Sequence, residues 1–317
     1  MNSGKNILIT GAAGQLGVEL TARLREQHGA EKVIATDIRN TDSVSKSGPF
    51  EELDVMDKQR MSKLIDKYDV GSIYHLAAIL SAKGETHIAL TWKLNMNGLL
   101  HVLDLAGEKK ASASSRHIRI FWPSSIGVFG PDIPRERTPQ NSPLNPTTVY
   151  GITKVAGEQW CAYYHRRFGV DVRSVRYPGL IGNKSEPGGG TTDYAVDMLR
   201  SAGNGKTFTC PLKSGTRLPM MYMEDAIKAA LNLMSVPPGR ISIRTSYNIS
   251  AMSFSPEELL SAIRQHINGF DVRYEPDERD KIASSWPDSI DDTDARRDWD
   301  WKPACDLPGM VREMLKQ

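Results

Sequence analysis

Lys5-Asn6-Ile7-Leu8-Ile9-Thr10-Gly11-Ala12-Ala13-Gly14-Gln15-Leu16-Gly17 is the stretch whose reading decides the fold. Ile7-Leu8-Ile9 is a short apolar run suited to a buried strand, and Leu16, Leu20 and Leu24 then recur at helical spacing. Between strand and helix lie three glycines in the order G-x-x-G-x-x-G. They permit a tight turn, a close approach of backbone to a pyrophosphate, and close packing of the helix on the sheet. The helix start adds free amides and partial positive charge, so Gly11, Gly14, Gln15, Leu16 and Gly17 are candidate pyrophosphate contacts. A glycine-rich turn alone is weak, because many such turns bind nothing. Here a second strand, Val33-Ile34-Ala35-Thr36, ends at Asp37, twenty residues beyond Gly17. A carboxylate at that point accepts hydrogen bonds from the adenosine ribose and repels a 2′-phosphate, which favours NAD over NADP. Arg39 is a counter-signal, since an arginine there can hold that phosphate.

Working outward, a short strand beginning near Glu51 is read as closing at Asp54-Val55, and Ser72-Ile73-Tyr74-His75-Leu76 runs into Ala77-Ala78, small residues against which a flat ring can lie. Asp54 reads equally as an adenine contact or as the cap of a helix starting near Lys58. His75 reads as a core histidine. The loop Ile79 to Glu85 leaves the fourth strand on the side where open α/β sheets bind ligands, which turns Ser81 toward the site. A helix over Ile88 to Glu108 carries Asn95, Asn97 and Gly98 in its middle, where such residues are poor helix formers. Asn95 is therefore a candidate for holding water, backbone or cofactor.

Ile118 to Pro123 makes a fifth strand with Ser124-Ser125 at its end, and the proline-rich, polar stretch Gly130 to Thr148 reads as a surface excursion. Val149-Tyr150-Gly151-Ile152-Thr153-Lys154 then opens a helix on which Tyr150 and Lys154 lie one turn apart on one face. A phenol beside an ammonium is expected to ionise more readily, and a phenolate can take the proton of an alcohol undergoing oxidation. A tyrosine and lysine at this spacing are common on helices, so the pair gains meaning only from its context. Asp171 to Arg176 is the sixth strand, followed by Tyr177-Pro178. Strands alternating with helices imply α/β architecture: a doubly wound parallel Rossmann sheet over residues 1–178, with 179–317 mainly a smaller substrate-binding region, parts of which return to the first domain.

In that second region Gly188 to Tyr194 is a flexible loop ending at a helix cap, Pro219 to Met223 a strand, and Tyr247-Asn248-Ile249 and Val272-Arg273-Tyr274 short strands. Between the last two, Ser255-Pro256-Glu257-Glu258 has the hydroxyl cap, first-turn proline and third-position glutamate that open a helix. Asp277 to Trp301 shows little periodicity, and Trp286-Pro287 within it is placed to reach over a cleft.

Forty Lys and Arg balance 38 Asp and Glu across the 317 residues, for a net charge of +2. Their scatter argues against nucleic-acid or polybasic membrane partners. No apolar run approaches the roughly 20 residues that span a bilayer, and no signal segment precedes the first strand. Cys161, Cys210 and Cys305 are odd in number, without metal-site spacing, and suit a reducing compartment, so a cytoplasmic location is expected with no metal ion.

Taken together, the three glycines, Asp37, Ser125, and Tyr150 with Lys154 resemble the extended branch of the short-chain dehydrogenase/reductase superfamily. Within it, five stretches are similar to the epimerase-like L-threonine 3-dehydrogenases: Leu80 to Glu85, Pro123 to Gly130, Glu186 to Ala195, Leu218 to Met223, and Ser285 to Ser289. The match runs over nearly the whole chain. Several members have Pro-Ser-Thr where this chain has Pro123-Ser124-Ser125; serine supplies the same hydroxyl.

The resemblance implies NAD-dependent oxidation of the L-threonine C3 hydroxyl to 2-amino-3-oxobutanoate. Tyr150 would be the acid/base, Lys154 its electrostatic partner and a ribose ligand, and Ser125 would orient the hydroxyl. Ser81, Thr191, Thr192 and Trp286 fall on positions that enclose substrate in this family. Asp54, Val55, Leu76, Ala77, Ala78, Tyr177 and Pro178 would line the cofactor along with the residues above. The resemblance also implies a homodimer through the Ile88 and Tyr150 helices, with Leu94, Leu99, Trp160 and Tyr164 offering the area; burial within one chain explains them equally. The alternatives are a nucleotide-sugar epimerase or dehydratase, which retains its cofactor, and a non-catalytic NAD-binding regulator, which the presence of Tyr150 and Lys154 argues against.

Overall fold

The computed structural model describes residues 5–112, 115–184 and 188–316. The chain runs β1 (Asn6–Thr10), α1 (Gln15–His28), β2 (Val33–Asp37), α2 (Asp42–Ser45), β3 (Phe50–Glu52), α3 (Lys58–Lys67), β4 (Val70–His75), α4 (Ser81–Thr86) and α5 (Ile88–Ala111). Next come β5 (Arg119–Phe121), β6 (Ser124–Ser125), α6 (Val149–Phe168), β7 (Asp171–Arg173), β8 (Val175–Tyr177), β9 (Gly179–Ile181), α7 (Tyr194–Gly203) and β10 (Phe208–Cys210). The remainder is β11 (Leu218–Tyr222), α8 (Met223–Ser235), β12 (Tyr247–Asn248), β13 (Met252–Phe254), α9 (Pro256–Arg264), β14 (Val272–Tyr274), α10 (Glu278–Ser284), α11 (Thr293–Trp299) and α12 (Leu307–Leu315).

The central sheet is parallel, in the order β3-β2-β1-β4-β5-β7. Strand order reverses between β1 and β4, and ligands bind at such a switch point beyond the carboxyl ends of the strands. The fifth and sixth strands are each broken: Pro123, with no N–H to donate, separates β5 from β6, and Ser174 separates β7 from β8. β6 and β8 still pair in parallel, and β12 adds beyond β8, so this late segment joins a three-stranded sheet, β12-β8-β6, built on the chain that continues from β5 and β7. One face of the sheet packs Leu99, Val102, Met61 and Cys161 of α5, α3 and α6. The other packs Leu20 and Leu24 of α1 with Ala226, Leu233, Trp299 and Trp301. A third cluster, around Tyr194, Leu199, Phe254, Leu259 and Met310, fills the C-terminal region.

Several sequence expectations change. The 79–85 loop is mostly helix α4, and the tail from Asp277 holds α10 and α11, each only seven residues and too short for visible periodicity. β3 ends at Glu52, before Asp54-Val55, and Asp57 rather than Asp54 caps α3, accepting from the Arg60 amide. β9, β10 and β13, three residues each, were not anticipated. The excursion before α6 is anchored rather than superficial, for Thr138 is fully buried and bridges to Ile290. The cap of α9 is as expected: Ser255 and Glu258 form the reciprocal capping box.

Candidate active site

At the switch point lies a cleft of about 750 Å³, lined at one end by the Gly11–Gly17 turn and Asp37 and at the other by Ser125, Tyr150, Thr191 and Trp286. Gly11 has φ +72°, and a Cβ on it would lie 2.6 Å from the Ala77 nitrogen; a Cβ on Gly17 would lie 2.2 Å from the Gly11 carbonyl oxygen. The turn is therefore closed to larger residues from both sides. α1 begins behind it with no side-chain cap and no acidic residue in its first turn, and the buried amide nitrogen of Gln15 has no partner among the described residues. Those are free donors facing the cleft, which suits a pyrophosphate.

Asp37 accepts from the backbone amides of Ala13 and Arg39, both at 3.0 Å, fixing its carboxylate at the cleft edge. The Arg39 guanidinium turns back toward it at 3.7 Å. Arg39, Asp54, Val55, Leu76, Ala77, Ala78, Tyr177 and Pro178 all line the same cleft. Asn95 does not. Its side chain accepts from the Ile79 amide at 2.8 Å and donates to the Ile79 carbonyl and to Thr153 on α6, so it pins the segment after β4 to the Tyr150 helix.

Tyr150 and Lys154 share one buried face of α6. Lys154 Nζ donates to the Pro123 carbonyl at 2.6 Å and lies 4.6 Å from the Trp122 ring centroid and 5.5 Å from that of Tyr150. The expected easy ionisation is not a property of the protein alone: burial pushes the Tyr150 phenol up to about 12, with the Ser125 hydroxyl acting the other way. Burial likewise pulls the Lys154 ammonium down to about 7. Both groups are buried, so the charged form of each is disfavoured, and burial is the largest influence on both. His75 is a core residue as expected, its Nδ1 2.8 Å from the Thr10 hydroxyl and burial lowering it to about 3.

At the far end, the Ser81 and Thr191 hydroxyls lie 3.0 Å apart, both buried, and the Thr191 amide donates to Ser81. Thr192 and Trp286 line the cleft beside them, and the buried indole nitrogen of Trp286 has no partner among the described residues. Glu186, which belongs to one resembling stretch, lies outside the described residues. Asp193 was missed as a site residue. It lines the cleft, accepts from the amides of Gly189 and Gly190, and has its carboxyl pushed up by burial. In the sequence its only signature was the position before a helix.

Comparison with known proteins adds identity to this geometry. The model of the NAD dependent epimerase/dehydratase family matches residues 7–250. An uncharacterized epimerase/dehydratase of Staphylococcus aureus is 46% identical over 315 residues, covering 98% of this chain and 96% of that protein. Among solved structures, a partial consensus L-threonine 3-dehydrogenase is 50% identical with a TM-score of 0.94, covering 98% of both chains. The GalE-like L-threonine dehydrogenase of Cupriavidus necator, in its holo form, is 49% identical with a TM-score of 0.94 over 98% of both chains. Among the described residues no helix is long and apolar enough to cross a membrane. With a family model over most of its length and relatives this similar, the chain belongs to the NAD dependent epimerase/dehydratase family and is an enzyme with NAD as its cofactor.

Proposed function

We propose that this enzyme oxidises the C3 hydroxyl of L-threonine to 2-amino-3-oxobutanoate, with Tyr150 as the acid/base. The observation that carries the reading is the full-length likeness to L-threonine dehydrogenases, joined to a cleft whose far end offers hydroxyls, an indole and a carboxylate to a small zwitterion. When bound, NAD supplies the chemistry of accepting a hydride from the substrate carbon. Tyr150 takes the hydroxyl proton, Ser125 orients that hydroxyl, and Lys154 supplies positive charge beside the phenol. Ser81, Thr191 and the Thr192 segment hold the substrate carboxylate. Asp193 takes the ammonium, and Trp286 walls the site. The turn residues, Asp37 and the strand ends hold the cofactor.

Residues 1–178 act mainly in cofactor binding and 179–317 mainly in substrate binding. The three free thiols suit the cytoplasm. A homodimer through α5 and α6 is supported by exposed Ile88, Trp92, Ile152, Trp160 and Tyr163; Leu99 and Tyr164 are buried within the chain and offer nothing to a partner.

NADH formation, followed by absorbance with L-threonine or a nucleotide sugar, tests the reading. Threonine is expected to drive steady release, and Tyr150→Phe to lose it by ~10²-fold or more while binding NAD normally. Turnover of the nucleotide sugar without net NADH, or near-parental threonine turnover in Tyr150→Phe, sinks it.

A further inference from the structure

Three positions on one face of α6, spaced i, i+3 and i+4, grip three consecutive residues of the segment that ends at Ser125. Lys154 holds the Pro123 carbonyl at 2.6 Å. Gly157 leaves room for the Trp122 indole; a Cβ there would lie 2.4 Å from the ring. Glu158 accepts a hydrogen bond of 2.6 Å from the Ser124 hydroxyl. The Glu158 carboxylate is itself held by Arg176, whose Nε and Nη2 donate at 2.9 and 2.8 Å. Arg176 stands on β8 directly across from Ser124, and the next pair in that register is Ser125 with Tyr177. The remaining guanidinium nitrogen donates to the Gln140 carbonyl and the Asn248 side chain. The Glu158 and Arg176 side chains are 0% and 4% exposed.

We propose that Glu158 is a positioning residue of this active site: with Arg176 and Ser124 it forms a buried brace that sets Ser125 against Tyr150. The proposal deepens the dehydrogenase reading above and rests on it. A buried ion pair returns little net stability, because desolvation offsets the attraction. What it does supply is direction. Two charge-assisted bonds to a rigid guanidinium fix the carboxylate, and the carboxylate fixes the residue preceding Ser125. Glu158 touches neither cofactor nor substrate, so its removal acts on the chemical step through placement.

Ser124→Ala, Glu158→Gln and the double variant test this, with kcat and KM for threonine, NAD affinity by tryptophan quenching, and melting temperature measured for each. Ser124→Ala removes one hydroxyl and leaves both Arg176 bonds to Glu158 in place. The expected result is kcat lowered about tenfold in Ser124→Ala and further in Glu158→Gln, since small misplacements carry large rate costs. NAD affinity and KM stay within about twofold, and the double variant is no slower than Glu158→Gln, because both act through one network. Parental kcat in Ser124→Ala overturns the brace, whether or not Glu158→Gln folds. So does a rate loss in Glu158→Gln that disappears when corrected for folded fraction. A parent that forms no NADH from threonine instead overturns the dehydrogenase reading, which separates the two failures.

Discussion

Replacing Lys154 with methionine keeps the length of the side chain and removes its charge, and the structure fixes how stability then depends on pH. Lys154 is 4% exposed, and burial pulls its ammonium from 10.5 to about 7. Below pH 7 the folded and unfolded chains both hold this proton, so the folded state carries the whole cost of a buried cation. Above pH 7 the folded chain releases the proton while the unfolded chain keeps it up to about 10.5, so stability climbs with pH across that interval. At about 1.4 kcal/mol per pH unit, the full gap corresponds to about 5 kcal/mol, of which about 2 kcal/mol is recovered between pH 7 and 9. Neighbouring groups act at or beyond the edge of the pH 7–9 range: burial raises the Cys161 thiol, which therefore withdraws stability only from about its ordinary 9 upward. Tyr150, raised to about 12, withdraws stability only above its ordinary 10, and His75, lowered to about 3, acts below 6.5. Urea unfolding of the cofactor-free protein at pH 7, 8 and 9 is the assay, with Lys154→Met as the reference that removes everything common to both. The parent midpoint is expected to rise relative to the variant by an amount equivalent to about 2 kcal/mol. Parallel pH dependence in the two proteins refutes the claim that Lys154 is a buried group titrating near neutrality.

Asp37→Asn is expected to weaken NAD by about tenfold and leave NADP unchanged or improved, since one charged hydrogen-bond acceptor is worth about 1.5–3 kcal/mol and its charge opposes a phosphate; equal losses for both cofactors in fluorescence titration show that Asp37 does not read the ribose. Asp193→Asn is expected to raise KM for threonine more than tenfold without changing NAD affinity. Because burial raises the Asp193 carboxyl, parental KM also rises as pH falls into that carboxyl's titration range, and a parental pH dependence identical to that of Asp193→Asn removes Asp193 from the ammonium site. Trp160→Glu, altering a side chain 39% exposed on α6, is expected to yield monomers by sedimentation; an unchanged mass places any interface elsewhere.

How much of this was legible in the sequence follows from the range of each interaction. The Gly11–Gly17 turn was readable because its constraint is local: the backbone turns within seven residues, and contact with Ala77 only tightens it. Tyr150 and Lys154 were readable because helical spacing alone puts them on one face. Ser81 and Thr191, 110 positions apart, were associated only through the family resemblance, since no local pattern announces a contact at that separation. Asn95 was noticed as odd within its helix and read as holding water, backbone or cofactor; its bonds go to the Ile79 backbone and to Thr153. Nothing in the local sequence singles out Glu158. Only the third dimension brings Arg176 and Ser124 to it, and the three-residue strands β9, β10 and β13 escaped for a related reason: pairing partners, not sequence periods, define them.

The tyrosine–lysine spacing thus supplies geometry but not ionisation. Burial raises the phenol to about 12 and lowers the ammonium to about 7, so where the pair holds a single proton, burial places it on the tyrosine. The phenolate–ammonium form has the same proton count, so the two are tautomers whose balance is set by the charges around them rather than by pH. Any positive charge entering the cleft beside the phenol favours the phenolate, and the Glu158 carboxylate one turn beyond Lys154 favours the ammonium. Both push toward the charge-separated form needed to accept a proton. Burial, which by itself opposes that form, also keeps the dielectric low enough for each push to count. The same apolar packing that suppresses ionisation at rest therefore makes it responsive to what binds.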